Sequence, residues 1–159
     1  MDKTLSVHLQ EIVLFRGEAA RISHKTLFSL ADASYVSIGE DLQGSILSAA
    51  RSGVTKLHIA GDWETILETA VWISGRPETH DVLALIKKSG ITDEEIAPFK
   101  NADINDIFPW LYYSKRFDIL RKICNAAKAR AESKTDRKNL MVYCHLVSGE
   151  TGKIAASSL

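Results

Sequence analysis

The sequence predicts an α/β fold, a three-layer Rossmann-like domain in which helices cover a mainly parallel sheet. Apolar runs of strand length alternate with segments of helical spacing in the first half of the chain, and glycines separate the two kinds of segment. Hydrophobic residues make up 45% of the 159 residues, which is enough for one core. Since no linker divides the chain, we expect a single α/β domain over residues 1–159.

The first strand-turn-helix unit lies near the start of the chain. Residues 12–15 form an apolar run closed by Arg16 and Gly17, which is typical of a strand buried on both faces and followed by a turn. Residues 18–30 then carry apolar side chains at roughly helical spacing. This segment predicts the first helix.

Two further units repeat the pattern. Residues 34–38 and 56–60 have strand composition, and Gly39 and Gly61 follow them before the next helical segments. Asp62 is a suitable N-cap for the helix after the third strand. Three successive units of this kind predict right-handed crossovers and a parallel sheet.

The second half of the chain is mainly helical before it ends in strands. Residues 92–95 carry a capping-box signature, and residues 117–131 predict an amphipathic helix. Residues 108–113 are the densest aromatic cluster, which fits packing against the sheet or a partner interface. Residues 140–147, a glycine-containing turn and residues 153–156 predict a C-terminal antiparallel hairpin.

Charge and composition exclude several classes of function. Lys plus Arg and Asp plus Glu number 20 each, so no net field favours nucleic acid or an anionic membrane. Cys124 and Cys144 show neither a disulfide framework nor metal-ligand spacing, and we expect buried free thiols. No signal peptide or membrane span is apparent, which predicts a soluble, cytoplasmic protein.

The candidate ligand site lies at the carboxyl ends of the first three strands, where parallel sheets bind ligands. Glycines there allow close approach, and carboxylates accept hydrogen bonds from ribose hydroxyls or attract a cation. The alternative is that Glu40 and Asp62 only cap helices. The candidate residues for binding a cofactor are Gly39, Glu40, Gly61, Asp62 and Glu64.

Histidines give weaker signals. Thr79-His80-Asp81 is a second candidate, although a helix-start cap with a surface histidine explains it better. The remaining histidines show no metal-ligand spacing, so no metal site is predicted. We expect His58 and His145, which lie within apolar strands, to be structural. The catalytic residues are unknown.

The order of these parts resembles a known family. Residues 35–86 carry Gly44, a helix with Ala49 and Ala50, a strand ending at Gly61 and a helix leading to Thr79 and His80. This stretch resembles the C-terminal half of the cobalt-precorrin-5B methyltransferases of anaerobic cobalamin biosynthesis, and the late helix and hairpin extend the resemblance to residues 11–156. It implies an enzyme that moves a methyl group from S-adenosylmethionine to a ring carbon of a corrinoid precursor.

The resemblance also assigns roles and shows departures. It places the five cofactor-binding candidates near S-adenosylmethionine and makes Thr79 and His80 substrate-binding. The family has Gly-His and then Gly-Lys after the third strand, where this chain has Gly61-Asp62 and Glu64-Thr65, and the family's N-terminal domain is missing. We therefore expect a diverged or partial methyltransferase-like protein, completed by a complementary chain or acting as a small-molecule binder. The alternative is a non-catalytic small-molecule-binding or protein-interaction domain that forms homo-oligomers.

Overall fold

The computed structural model describes residues 10–136 and 138–158, so His8 lies outside the described residues. Five strands are described: β1 (Glu11–Phe15), β2 (Tyr35–Ser37), β3 (Lys56–Gly61), β4 (Met141–Val147) and β5 (Ile154–Ser157). The helices of the described part are α1 (Glu18–Phe28), α2 (Leu42–Arg51), α3 (Trp63–Val71), α4 (Thr79–Lys88), α5 (Asp93–Ile96), α6 (Ile104–Tyr113) and α7 (Phe117–Thr135).

The strands form one mixed sheet in the order β2-β1-β3-β4-β5. The first four strands are mutually parallel, and β5 returns antiparallel to β4. This confirms the predicted α/β class, the mainly parallel sheet and the C-terminal hairpin. The four helices α4 to α7 occupy the predicted helical segment between β3 and the hairpin.

One face of the sheet is covered by α2, α3 and α7, and we call it the three-helix face. Alternate strand residues, such as Leu57 and Ile59 on β3, point into this face and are fully buried. The long helix α7 packs on α3, on β4 and on β5. This face therefore holds the main hydrophobic core, which also buries both free thiols, Cys124 on α7 and Cys144 on β4.

The opposite face is covered by α1, and we call it the one-helix face. Its small apolar cluster contains Val13, Ala20, Ala60 and Val147. Beside that cluster, α1 buries His24 against the sheet, where His58 and His145 are also buried. The outer side of α1 leaves Ile22 and Leu27 exposed. The two faces thus differ in both the amount and the polarity of what they bury.

The aromatic cluster at residues 108–113 belongs to α6. Phe108 is buried, and Trp110 and Tyr112 pack against the main core, whereas Tyr113 is exposed. The indole of the buried Trp63 donates a hydrogen bond of 2.8 Å to the carbonyl of Ile104, which fixes α6 against α3. Packing therefore accounts for most of this cluster, as one of the two sequence interpretations expected.

None of the helices in the described ranges combines the length and apolarity that crossing a membrane requires.

Candidate functional site

The carboxyl ends of β1, β2 and β3 lie along one edge of the sheet because the three strands are parallel. After β1 the chain turns into α1 on one face, and after β3 it turns into α3 on the other. A parallel sheet opens a crevice where the connections diverge in this way, and ligands commonly bind there. The structure thus brings the predicted loops to a common rim.

Arg16 lies at this point of divergence. Its Nη1 atom donates to Glu68 Oε2 at 2.6 Å and approaches Thr65 Oγ1 at 3.4 Å. Glu68 is nearly buried on α3, so the ion pair is shielded and links the β1 loop to that helix. The sequence placed Arg16 in the turn after the first strand. Glu68 lies within a helical segment, and its sequence position did not predict a role at this edge of the sheet.

A cleft opens beside this rim, between α2 and the β1–β2 edge of the sheet. Its volume is about 660 Å³, and Ile12, Leu14 and Val36 supply its apolar wall. Gly39, Glu40 and Asp41 line the end nearest the rim. A Cβ at Gly39 would meet no atom within 4 Å, so the glycine leaves this part of the cleft open.

A smaller cleft of about 240 Å³ adjoins the first and shares Glu40 and Asp41 with it. Glu68 also lines the smaller cleft. Glu40 and Asp41 therefore border both clefts, whereas Glu68, which pairs with Arg16, borders only the smaller one. The two shared carboxylates favour hydroxyl groups and positive charge. Residues 78–131 line neither cleft, so the helical segment does not plug them.

The helix-cap alternative is resolved for both acids. Asp62 accepts hydrogen bonds from the backbone N–H and the hydroxyl of Thr65, at 3.0 and 2.8 Å, and caps α3. The cap of α2 is Asp41, which accepts from the Gly44 N–H at 2.9 Å. Glu40 is therefore not the cap residue, and its exposed side chain lies beside both clefts.

The other cofactor candidates lie around the start of α3. Gly61 packs closely, since a Cβ there would come within 2.6 to 2.9 Å of the Thr65 side chain. Glu64 lies 3.6 Å from the guanidinium of Arg76. Asp62 lines a separate cleft of about 190 Å³ that α6 borders. The structure thus places Gly39 and Glu40 together and puts Asp62 in a different cleft.

Thr79 and His80 begin α4. Thr79 Oγ1 donates to the carbonyl of Ala102 at 2.9 Å, a bond that anchors the helix start. His80 is largely exposed, with ring nitrogens 3.3 Å from carboxylate oxygens of Glu78 and of Asp81. Neither residue lines the clefts that contain Glu40.

A second constellation lies on the one-helix face. His24, His58 and His145 are 0%, 4% and 3% exposed, and their rings converge. His58 Nδ1 lies 3.0 Å from His24 Nε2 and 2.9 Å from His145 Nε2. One nitrogen from each ring lies within 4.8 Å of the other two, which makes the three imidazoles a candidate ligand set for a metal ion.

Each outer ring nitrogen of this cluster has an oxygen partner. His24 Nδ1 lies 2.8 Å from the hydroxyl of Tyr35, and His145 Nδ1 lies 2.8 Å from that of Ser157. His58 Nε2 lies 2.5 Å from a carboxylate oxygen of Glu11. All six ring nitrogens are therefore engaged.

Burial keeps these imidazoles neutral. It lowers the pKa of His24 to about 3 and that of His145 to about 3, and the neighbouring His58 adds to both shifts. Burial also lowers the pKa of His58, although its hydrogen bond to Glu11 opposes this. Each ring therefore keeps one nitrogen with an electron pair at neutral pH.

Sequence reasoning missed this cluster because the three histidines are 34 and 87 residues apart. One signal was present: His58 and His145 occupy inward positions of apolar strands. Neighbouring parallel strands bring such positions side by side, and the register pairs His145 with Ala60, two residues beyond His58. A buried helix residue, His24, completes the group and could not be placed without the fold.

No protein-family model matches the sequence. The chain is similar to a cobalt-precorrin-5B C(1)-methyltransferase of Desulfotalea psychrophila, at 28% identity over 151 residues, which cover 90% of this chain and 41% of that enzyme. The chain thus spans about two fifths of the length of the relative it matches. This similarity supports the predicted resemblance to part of that family as a distant, methyltransferase-like relationship.

Among solved structures, the chain is similar to the β-carbonic anhydrase CafA of Aspergillus fumigatus. The match covers 96% of this chain and 77% of that one, with 15% identity and a TM-score of 0.37, which is a distant likeness.

Proposed function

We propose that the chain binds S-adenosylmethionine as a diverged or partial methyltransferase-like protein related to corrinoid biosynthesis. The observation that carries this proposal is the pair of adjoining clefts at the rim of the sheet, where Glu40 and Asp41 lie beside an apolar wall. The distant similarity to a methyltransferase over 90% of the chain supports the same function.

The chemistry of the clefts suits this cofactor. S-adenosylmethionine carries a sulfonium cation and ribose hydroxyls, which carboxylates attract and accept hydrogen bonds from. Its adenine has two apolar faces, which fit the wall formed by Ile12, Leu14 and Val36. Methyl transfer from a sulfonium depends mainly on positioning, so the chain needs no general base for this step.

Within this proposal the residues divide into three groups. Gly39 and Glu40 contact the cofactor directly, and Gly61, Asp62 and Glu64 shape the neighbouring loop and the start of α3. Thr79 and His80 face a corrinoid substrate that a complementary chain or a second copy helps to enclose. A cytoplasmic location is part of the same proposal.

Calorimetric titration of the folded chain with S-adenosylmethionine, which carries the sulfonium cation, tests the proposal. We expect saturable binding that Glu40→Gln weakens about tenfold or more, because a charged acceptor is lost from the cleft. Glu94→Gln is the matched control, since this substitution removes the same charge at an exposed position on α5. Absence of binding heat, or equal weakening by both variants, would contradict the proposal.

A second candidate function is a protein-interaction domain, and the outer side of α1 favours it. Ile22 and Leu27 are 52% and 66% exposed and line a groove of about 530 Å³ against the β4–β5 turn. Exposed apolar side chains in one groove favour a partner or a second copy. Solution mass by light scattering checks this: a dimer disrupted by Leu27→Lys supports it, and a concentration-independent monomer argues against it.

A further inference from the structure

We propose that His24, His58 and His145 form a buried site for one divalent transition-metal ion of the zinc class. The proposal rests on the convergence of three ring nitrogens between α1 and the sheet. It concerns the one-helix face, whereas the proposed cofactor cleft lies between α2 and the edge of the sheet. The two proposals can therefore fail separately.

The spacing of the inner nitrogens is close to that of a metal site. Imidazole nitrogens bind zinc at 2.0–2.1 Å, so two ligands of a tetrahedral ion lie about 3.3 Å apart. The inner nitrogens of His24 and His145 lie 3.0 and 2.9 Å from that of His58. Metal binding thus requires these two pairs to separate by about 0.3–0.4 Å each. The third pair, from His24 and His145, lies within 4.8 Å and must take the same spacing, which rotations of the rings supply.

The outer partners complete the arrangement. A metal-bound histidine almost always donates its other ring N–H to a carboxylate, a carbonyl or another oxygen, which fixes the tautomer and orients the ring. Here Tyr35, Glu11 and Ser157 offer such an oxygen to His24, His58 and His145 in turn. The cluster therefore has both the inner ligands and the outer supports of a metal site.

Without a metal, the hydrogen bonds among the three rings are less favourable. The carboxylate of Glu11 accepts from His58 Nε2–H, which leaves His58 Nδ1 with one electron pair. Both His24 Nε2–H and His145 Nε2–H must then donate to that pair. A divalent ion relieves this crowding: the protons of His24 and His145 move to their outer nitrogens, and the hydroxyls of Tyr35 and Ser157 turn to accept them.

The ligand type and the charge point to the class of ion. Three neutral imidazoles favour zinc, cobalt, nickel or copper over magnesium or calcium, which prefer oxygen. The carboxylate of Glu11, bonded to His58, offsets part of the added positive charge. Three protein ligands leave a fourth position of a tetrahedral ion for a water molecule.

Phe28 covers part of the cluster. Its ring stacks on His24 at 4.3 Å between centroids and lies 5.5 and 5.2 Å from the rings of His58 and His145. The residue is 43% exposed, so it lies where the cluster meets solvent near the end of α1.

Titration of the chelator-treated full chain with Co²⁺ tests the proposal, because cobalt in a four-coordinate nitrogen site absorbs strongly in the visible range. We expect one equivalent to bind, Zn²⁺ to displace the signal, and Zn²⁺ to raise the thermal midpoint of the chain. A spectrum that shows only hydrated Co²⁺, together with an unchanged midpoint in Zn²⁺, would overturn the proposal without any variant.

Variants then locate the ion. His145→Asn removes a ligand and should abolish the cobalt signal, and Ser157→Ala keeps all three ligands but should weaken binding roughly tenfold, since it removes an outer support. His80→Gln is the matched control, because His80 belongs to the exposed group with Glu78 and Asp81. Loss of binding in His80→Gln, with binding kept in Ser157→Ala and in any folded His145→Asn, would place the ion at the surface and overturn the proposal.

Discussion

The two faces of the sheet stabilise the molecule in different ways. The three-helix face buries a continuous apolar core from β1, β3 and β4 together with α2, α3 and α7. The one-helix face buries a small apolar cluster and three linked histidines under α1. Burying an apolar side chain is favourable in itself, whereas buried polar groups depend on their hydrogen bonds. We therefore expect the three-helix face to supply most of the stability and the one-helix face to make the stability depend on pH and metal ions.

The largest expected difference comes from one substitution made on each side. Ile59→Ala, in β3 on the three-helix face, removes a fully buried side chain and should lower the free energy of unfolding by about 2–5 kcal/mol. Ile22→Ala, on the outer side of α1, should change it by less than about 0.5 kcal/mol. Urea unfolding measures both. Similar losses of unfolding free energy from the two substitutions would contradict the difference between the three-helix face and the outer side of α1.

The next effect is a pH dependence that belongs to the one-helix face. The pKa values of His24 and His145 fall to about 3 in the folded chain, from an ordinary value of 6.5, because the rings are buried. Below pH 6.5 the unfolded chain therefore binds protons that the folded chain does not. The free energy of unfolding should be level above pH 6.5 and fall as the pH drops, by up to about 3 kcal/mol per pH unit for two such groups.

Urea unfolding of the metal-free chain between pH 7.5 and 5 measures this dependence, and this window lies above the range in which carboxylates take up protons. His80→Gln is the control variant, because it removes an exposed histidine and leaves the buried cluster intact. A level stability from pH 7.5 to 5 would show that the cluster accepts protons without unfolding.

The smallest effect concerns how helices begin on the two faces. On the three-helix face, Asp41 and Asp62 cap α2 and α3 through side-chain hydrogen bonds. On the one-helix face, α1 begins after Gly17 at a φ of 91° and has no side-chain cap. Asp62→Ala should therefore cost about 1 kcal/mol. Glu40→Ala, beside a cap but not serving as one, should cost less than about 0.5 kcal/mol by the same unfolding assay.

The fold could be predicted from the sequence because its signals are local. Apolar runs such as residues 56–60, each closed by a glycine, marked the strands, and Thr92 with Glu95 forms the capping box that their spacing indicated. Boundaries shifted by a few residues, and the second strand shortened to Tyr35–Ser37. The α/β class and the hairpin could be predicted because the order of strands and helices along the chain limits how the strands pair and how the crossovers turn.

The sites were less predictable because they depend on residues that are distant in sequence. The loop glycines and acids could be proposed from their position after strands, but the cap fell on Asp41 and not on Glu40. The pairing of Arg16 with Glu68 and the meeting of three histidines depend on how α3 and α1 pack. The spacing of these residues in the sequence predicts neither the ion pair nor the histidine cluster.

The buried thiols of Cys124 and Cys144 have a practical consequence. Burial raises the pKa of Cys124 to about 12 and that of Cys144 well above its ordinary value, so both sulfurs stay protonated and shielded from alkylating reagents. Both belong to the three-helix face. The rate at which they are modified therefore measures how often the three-helix face opens.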